Sequence, residues 1–174
     1  MTHVAEHPIF GIPPVRPPQP RRAARVASAP QCRDDRWPAV AARLAALRAD
    51  RRRSVRIVDV DCGSGRLLLC AVRLARALGF TAIEARGVDP ASALIERATK
   101  AAAALRDPAI GITFETGDYV DALRDEARFP ADIVVWHGCH AGCDAAGRRA
   151  VEGAAARAGT ATITDGPVQA DDAR

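Results

Sequence analysis

Acidic residues and glycines of this chain stand at the ends of its hydrophobic runs, where they could bind a nucleotide-like ligand. The first strongly apolar run reaches Asp59 and breaks at residues 59–65, where Gly63 and Gly65 precede a helical pattern. Glycine lets a backbone turn sharply and approach a ligand closely, because it has no Cβ atom. Asp89 ends the second apolar run and Asp118 follows the third.

Hydrogen bonding and charge pairing are the chemistry that such acids offer. An acid after a second strand can accept from two ribose hydroxyls, and an acid after a third strand can accept from an adenine amino group. A buried acid at the first turn, such as Asp59, could orient an ammonium group. No GxxxxGK[ST] phosphate loop is present in the sequence, and Leu68 occupies the last glycine position of the GxGxxG pattern. The pattern favours an adenosyl amino acid as the ligand, and a nicotinamide nucleotide is the alternative ligand. Asp59, Asp89 and Asp118 also have an alternative role, which is to cap the helices that follow them.

A second chemical cluster, residues 137–143, follows the fourth apolar run. His137 and His140 are candidate general bases for a hydroxyl substrate, because a neutral imidazole accepts a proton near neutral pH. A loop histidine without a catalytic role is the alternative. The cluster is rich in residues of metal-ligating type, but no second Cys/His pair follows at zinc-finger spacing. We therefore expect no metal site and leave the catalytic residue unassigned.

Hydrophobic periodicity predicts helices and strands in alternation. A helix opens at Trp37, with Pro38 at its first turn, and extends toward Arg53. Short β-branched or apolar runs predict the strands, and 3.6-residue spacing predicts the helices between them. Strands are expected at 55–60, 82–88, 110–115, 132–136 and 160–164, and further helices at 66–78, 91–105, 120–126 and 145–158.

This alternation predicts an α/β fold with a doubly wound, mainly parallel sheet. Ligands of such sheets bind at the carboxyl ends of the strands, which is where the acids described above fall. Residues 1–35 are rich in proline and arginine, a composition that favours an extended arm. Residues 36–174 are expected to form one α/β domain.

Composition limits the partners that can be expected. The net charge is only +4 and Lys100 is the sole lysine, so nucleic acid is not specifically supported. No apolar run approaches the roughly 18 residues that a bilayer span requires, and we expect no membrane partner. The five cysteines cannot all pair within one chain and no secretory segment precedes them, which favours a cytoplasmic location.

Segments in residues 56–138 resemble, in the same order, motifs of the class I S-adenosylmethionine-dependent methyltransferases. The first motif is matched by IVDVDCGSGRLLL, the second by GVDPASALIERATKAA, the third by ITFETGDYVDAL and the strand-four motif by PADIVVWHG. The resemblance implies a Rossmann-like core and S-adenosyl-L-methionine as cofactor. It also implies in-line transfer of the sulfonium methyl group to a nucleophile.

The resemblance assigns a role to each matched residue. The turn at residues 59–65 would hold the methionine end of the cofactor, Asp89 the ribose, and Asp118 with the Tyr119 backbone the adenine. His137 would border both cofactor and substrate. The implied cofactor-binding residues are Asp59, Asp61, Cys62, Gly63, Gly65, Asp89, Asp118, Tyr119 and His137.

Two features depart from the family pattern. Asp61 replaces the first glycine of the first motif and adds a negative charge near the expected methionine carboxylate. Only about ten residues follow Thr164, so the two-stranded hairpin that usually completes the family core is expected to be missing. A second subunit, as in a homodimer, or the arm would then cover the sheet edge that this leaves.

The sequence therefore predicts a methyltransferase that uses S-adenosyl-L-methionine and acts on an unidentified small-molecule or protein acceptor. The alternative is a catalytically inactive methyltransferase-like module for binding or assembly. Asp61 and the missing hairpin favour that alternative.

Overall fold

Strands and helices alternate through residues 32–138 and 145–165, which are the parts of the chain that this computed structural model describes. Their bounds follow the predicted ones closely, with the largest differences at the ends of the first and third helices. The elements in chain order are α1 (Trp37–Ala49), β1 (Ser54–Val60), α2 (Arg66–Ala77), β2 (Ala82–Asp89), α3 (Ser92–Ala102), β3 (Ile110–Thr116), α4 (Tyr119–Glu126), β4 (Ile133–Trp136), α5 (Ala145–Ala158) and β5 (Thr162–Thr164).

The strands form one parallel sheet in the order β3-β2-β1-β4-β5. The chain moves outward from β1 to β2 and β3, then returns to place β4 on the other side of β1. Doubly wound sheets bind their ligands in a crevice at such a point of reversal, which here is outside the carboxyl ends of β1 and β4. The predicted fold class, an α/β doubly wound parallel sheet, is confirmed.

Strand β1 lies at the centre of the sheet and is covered on both faces, which explains why its residues 57–60 are all buried. Val55 and Ile57 belong to the core that packs against α1 and α2. Val58 and Val60 belong to the core on the opposite face, beneath α4 and α5. This double burial holds the end of β1 rigidly at the crevice.

The segment at residues 32–35, which the sequence analysis placed in the arm, lies against the domain. Cys32 packs on the core of the α1 and α2 face, and Asp34 binds Arg36. Residues 1–31 of the predicted arm lie outside the described residues, and the proposed domain boundary stays a prediction. Within the described ranges, no strand follows β5 and no helix is both long and apolar enough to cross a membrane.

Candidate functional site

The turn after β1 is built by backbone conformations that few residues tolerate. Asp61, Gly63 and Gly65 have positive φ angles of 63°, 55° and 73°. The Gly65 N–H donates to the Cys62 carbonyl over 2.9 Å, and the Cys62 N–H donates to the Val88 carbonyl over 3.1 Å. These bonds close the turn and attach it to the end of β2.

The two glycines of this turn have different neighbours. A Cβ atom at Gly65 would lie 2.5 Å from the ring of Phe114, so the absence of a side chain serves packing between the turn and β3. A Cβ atom at Gly63 would meet nothing within 4 Å. Gly63 therefore borders the open space that a ligand would enter, whereas Gly65 supports the turn from behind.

Asp89 joins the end of β2 to this turn. Its Oδ2 accepts from the Gly63 N–H over 2.8 Å, and its Oδ1 accepts from the Ala91 N–H over 2.8 Å. The N-cap of α3 is Ala91, so Asp89 does not cap that helix directly. Each carboxylate oxygen can accept a second hydrogen bond, which leaves Asp89 capacity for a ligand hydroxyl even though the residue is only 2% exposed.

Asp61, the departure from the family motif, is tied to the start of α4. The Tyr119 hydroxyl donates to Asp61 Oδ1 over 2.9 Å. Aspartate is among the few non-glycine residues found at positive φ, so the turn keeps its shape without the usual glycine. Burial raises the pKa of Tyr119, and the hydrogen bond to Asp61 with its negative charge raises it further.

Asp118 caps α4. Its Oδ1 accepts from the backbone N–H groups of Val120 and Asp121 over 2.8 and 3.0 Å. The capping alternative that the sequence left open thus applies to Asp118, while its contact with adenine stays a prediction. The same cap places Tyr119 at the first turn of α4, beside the β1 turn.

Asp59 is fully buried and lies against an arginine that the sequence analysis missed. Its Oδ1 is 3.5 Å from Nη1 of Arg36, and neither of its oxygens has a hydrogen-bond partner among the described residues. Arg36 also binds Asp34, with its Nε to Oδ1 at 2.9 Å and Nη2 to Oδ2 at 2.8 Å. Burial raises the pKa of Asp59 to about 7, and the positive charge of Arg36 opposes this effect. The capping role considered for Asp59 is not observed, because the N-cap of α2 is Gly65.

His137 forms a pair with a second residue that the sequence analysis missed. Its Nδ1 lies 2.6 Å from Oδ2 of Asp165, and the Gly138 N–H donates to Oδ1 of Asp165 over 2.7 Å. Burial alone would raise the pKa of Asp165, but the hydrogen bonds from His137 and Gly138 outweigh burial and lower that pKa. Asp165 could have been found from its position directly after β5, because acids also stand at or just after the ends of β1, β2 and β3.

The structure brings most of the predicted cofactor-binding residues together at one end of the sheet. Asp61, Cys62, Asp89 and Tyr119 lie within electrostatic range of one another, and burial with the nearby carboxylates raises the pKa of the Cys62 thiol. Residues 139–144, which include His140, lie outside the described residues. Within the described ranges, no three His, Cys, Asp or Glu side chains are grouped so that they could hold a metal ion.

Methyltransferases are among the solved structures that this chain resembles. The methyltransferase domain of bacterial CtHen1-CN aligns with a TM-score of 0.52 at 21% identity, over 72% of this chain and 63% of that one. Magnesium protoporphyrin IX methyltransferase from Synechocystis PCC 6803, solved with bound SAH, gives a TM-score of 0.49 at 20% identity, over 71% and 52%. PKMT2 from Rickettsia typhi in complex with AdoHcy gives 0.45 at 18% identity, over 59% and 18%. No protein-family model and no curated protein matches the chain.

The likeness to the bacterial methyltransferase domain establishes a shared fold. The chain has the Rossmann-like fold of the class I S-adenosylmethionine-dependent methyltransferases, and the predicted resemblance is confirmed at the level of the fold. The chain spans 63% of that domain and about half, 52%, of the Synechocystis enzyme. Its activity, cofactor and acceptor are therefore matters for proposal.

Proposed function

We propose that this protein is a divergent class I methyltransferase that binds S-adenosyl-L-methionine and transfers its methyl group to a small-molecule or protein acceptor. One observation carries the proposal. At the switch point of the sheet, the turn after β1 borders open space at Gly63 and is joined there to Asp89, the acid at the end of β2. An adenosyl ligand needs an approachable backbone beside an acid that accepts from ribose hydroxyls.

The residues around Gly63 fit the parts of such a ligand. A Cβ atom at Gly63 would protrude into the open space beside the turn, which we call the cradle, and its absence leaves room for the methionine end. Asp89 would accept from the ribose, and the Tyr119 backbone with Asp118 would meet the adenine. Asp59, Cys62 and Gly65 support the turn from its buried side, while Asp61 and His137 border the methionine end.

The bound cofactor would supply an electrophilic methyl group on a sulfonium centre. The contribution of the chain is to hold cofactor and acceptor in line, since orientation alone removes much of the barrier to a two-body reaction. The rigid end of β1, buried on both faces, suits this task.

Calorimetry with S-adenosylmethionine, S-adenosylhomocysteine and NAD tests the proposal. We expect heat of binding with the first two ligands and none with NAD. Asp89→Asn should weaken binding about 10- to 100-fold, because an amide loses the charge-assisted hydrogen bonds that a carboxylate makes with hydroxyls. Asp125→Asn, an exposed change on α4, is the matched control and should leave the affinity unchanged.

Three results would contradict the proposal or a part of it. No heat and no thermal shift with millimolar S-adenosylmethionine would overturn the cofactor. Binding of NAD instead would favour the nicotinamide alternative. Equal affinity in Asp89→Asn and wild type would overturn the ribose assignment.

A catalytically inactive binding module is the second candidate function, and the state of Asp89 favours it. Both oxygens of this carboxylate already accept backbone N–H groups, and the residue is 2% exposed. A module of this kind would keep the fold and bind S-adenosylmethionine weakly or not at all. No measurable binding by wild type, together with binding by Asp61→Gly, would identify it.

We further propose a cytoplasmic location, which would keep Cys32, Cys62 and Cys70 as the free thiols they are in the structure. A homodimer that covers an edge of the sheet is a prediction that solution mass measurement would test. In that location the protein should be active with these thiols reduced. A requirement for oxidised cysteines would contradict it.

A further inference from the structure

We propose that Asp165 holds His137 in the tautomer whose Nε2 accepts a proton, so that His137 acts as general base toward a hydroxyl acceptor. The inference rests on the proposed methyl transfer and specifies the class of its acceptor. Neither the fold nor the comparisons assign a role to Asp165. In this scheme His137 is the catalytic residue and Asp165 is a positioning residue.

The sheet itself sets the two side chains side by side. Strands β4 and β5 are parallel neighbours, and Trp136 pairs with Thr164 in their register. His137 and Asp165 are the next residues of each strand, so both emerge at the carboxyl edge where the crevice lies. Their side chains are 33% and 25% exposed, which leaves the pair reachable from the crevice.

Two hydrogen bonds orient the pair. Asp165 is a carboxylate that can only accept, and its Oδ2 lies 2.6 Å from His137 Nδ1, so Nδ1 carries the proton. The Gly138 N–H fixes the second oxygen at 2.7 Å. With its proton on Nδ1, the neutral ring has Nε2 as its proton-accepting nitrogen.

Charged groups from neighbouring elements surround His137. The carboxyl groups of Asp34 and Asp59 lie within electrostatic range of the ring. Arg36, bound to Asp34, lies within electrostatic range of Asp165. The Asp165 carboxylate, 2.6 Å from Nδ1, faces the imidazolium that forms when His137 takes a proton.

The methyl group passes from the sulfonium to the hydroxyl oxygen in a single displacement. The acceptor oxygen attacks the methyl carbon of the sulfonium and forms the new O–C bond, while the C–S bond breaks and its electron pair stays on sulfur as S-adenosylhomocysteine. The proton of the hydroxyl passes to Nε2 of His137. Asp165 stabilises the resulting imidazolium, which returns the proton to solvent afterwards.

A hydroxyl is the acceptor that gains most from this arrangement. A phenol or an alcohol keeps its proton at neutral pH and needs a base, whereas a carboxylate, with a pKa near 4, has already lost its proton. The geometry thus favours O-methylation of a neutral hydroxyl compound.

Long-range ¹H–¹⁵N NMR of the full chain tests the tautomer directly. The chain has only four histidines, so His137→Gln assigns the signal of His137. At about pH 8.5, two units above the usual histidine pKa, we expect the wild-type ring to be protonated on Nδ1. Asp165→Asn should move the proton to Nε2, because the Gly138 N–H holds the amide oxygen and turns the NH₂ group toward Nδ1.

Asp125→Asn, at an exposed position of α4, is the control and should leave the tautomer unchanged. A wild-type ring protonated on Nε2, or a tautomer that does not respond to Asp165→Asn, would overturn the role of Asp165. Either result would stand whether or not the protein binds S-adenosylmethionine. Calorimetry of Asp165→Asn with S-adenosylmethionine, expected to match wild type within twofold, keeps the two proposals apart.

Release of S-adenosylhomocysteine in the presence of simple phenols and aliphatic alcohols tests the acceptor class. We expect turnover by wild type, and a kcat lowered about 10²- to 10⁴-fold in Asp165→Asn with an unchanged KM for S-adenosylmethionine. Turnover confined to thiols or carboxylates would overturn the hydroxyl class. No transfer to any hydroxyl compound by protein that binds the cofactor would overturn it as well.

Discussion

At the scale of single residues, Asp61 shows how a motif can change its sequence and keep its shape. The position has a φ of 63°, which usually selects glycine, and aspartate is one of the residues that can replace it. The Tyr119 hydroxyl binds the new carboxylate at 2.9 Å. The substitution therefore preserves the turn and alters its charge, and charge is the property that cofactor binding would sense.

Replacing Asp61 by glycine should strengthen binding of S-adenosylmethionine. The change removes a negative charge beside the expected methionine carboxylate, and like charges in a partly buried site cost about 1 kcal/mol, or roughly fivefold in Kd. Glycine also adopts the positive φ without strain, so the fold should tolerate the change. Calorimetry measures the affinity.

Tyr119→Phe is the matched control for this variant, since it removes the hydrogen bond to Asp61 and keeps the carboxylate. We expect no gain of affinity in Tyr119→Phe. Equal gains in both variants would assign the effect to the hydrogen bond instead of the charge. Weaker binding in Asp61→Gly would mean that the carboxylate assists the cofactor.

At the scale of elements, the unit of β1, turn and α2 depends on a ring from β3. The Phe114 side chain fills the space in front of both Gly65, in the turn, and Gly87, in β2. The turn after β1, strand β2 and strand β3 thus meet at one aromatic ring. The glycine pattern of the turn reflects this packing as much as the approach of a ligand.

A pair of substitutions separates these two reasons for glycine. Gly65→Ala combines a positive φ with a Cβ atom 2.5 Å from Phe114, and should lower the free energy of unfolding by about 2–5 kcal/mol. Gly63→Ala carries only the strain of its φ, at a site with no atom within 4 Å, and should cost about 1–2 kcal/mol. Urea denaturation measures both.

Cofactor affinity should show the opposite order. Gly63→Ala places a methyl group in the cradle and should weaken S-adenosylmethionine binding more than Gly65→Ala does. Phe114→Leu combined with Gly65→Ala should regain part of the lost stability, because the smaller side chain makes room for the Cβ atom. Equal stability losses in the two alanine variants would contradict the packing role of Gly65.

At the scale of the whole molecule, the order of elements and the convergence at the crevice could be predicted from sequence. Apolar runs and helical periods carry that information locally, and parallel strands must bring their carboxyl ends to one edge. Asp61, Asp89 and Tyr119 lie together for this reason. Local patterns therefore predicted both the sheet and the centre of the candidate site.

Pairings that depend on side-chain packing between distant segments could not be predicted. Arg36 reaches Asp59 from before α1, and Asp165 reaches His137 from beyond α5. Nothing in the residues around Arg36 marks it as a buried partner. Asp118 was ambiguous for another reason, because a strand-end acid and a helix cap have the same local sequence.

The buried Asp59 should make the stability of the whole domain depend on pH in a defined direction. Burial raises its pKa from 3.8 to about 7, so between these pH values the folded state binds more protons than the unfolded state. Linkage then requires the free energy of unfolding to fall as pH rises through this window, by at most about 1.4 kcal/mol per pH unit. Above pH 7 the full penalty of the buried charge is present.

Asp59→Asn removes this titration and leaves Arg36 bound to Asp34. We expect the Tm of the variant to exceed that of wild type at pH 8 by a few degrees, at about 2–4 °C per kcal/mol, and the gap to narrow toward pH 4. The other acids are common to both proteins, so the difference between their Tm profiles isolates Asp59. Parallel profiles would mean that Arg36 keeps the Asp59 carboxylate ionised throughout, and that a buried ion pair holds the segment before α1 against the end of β1.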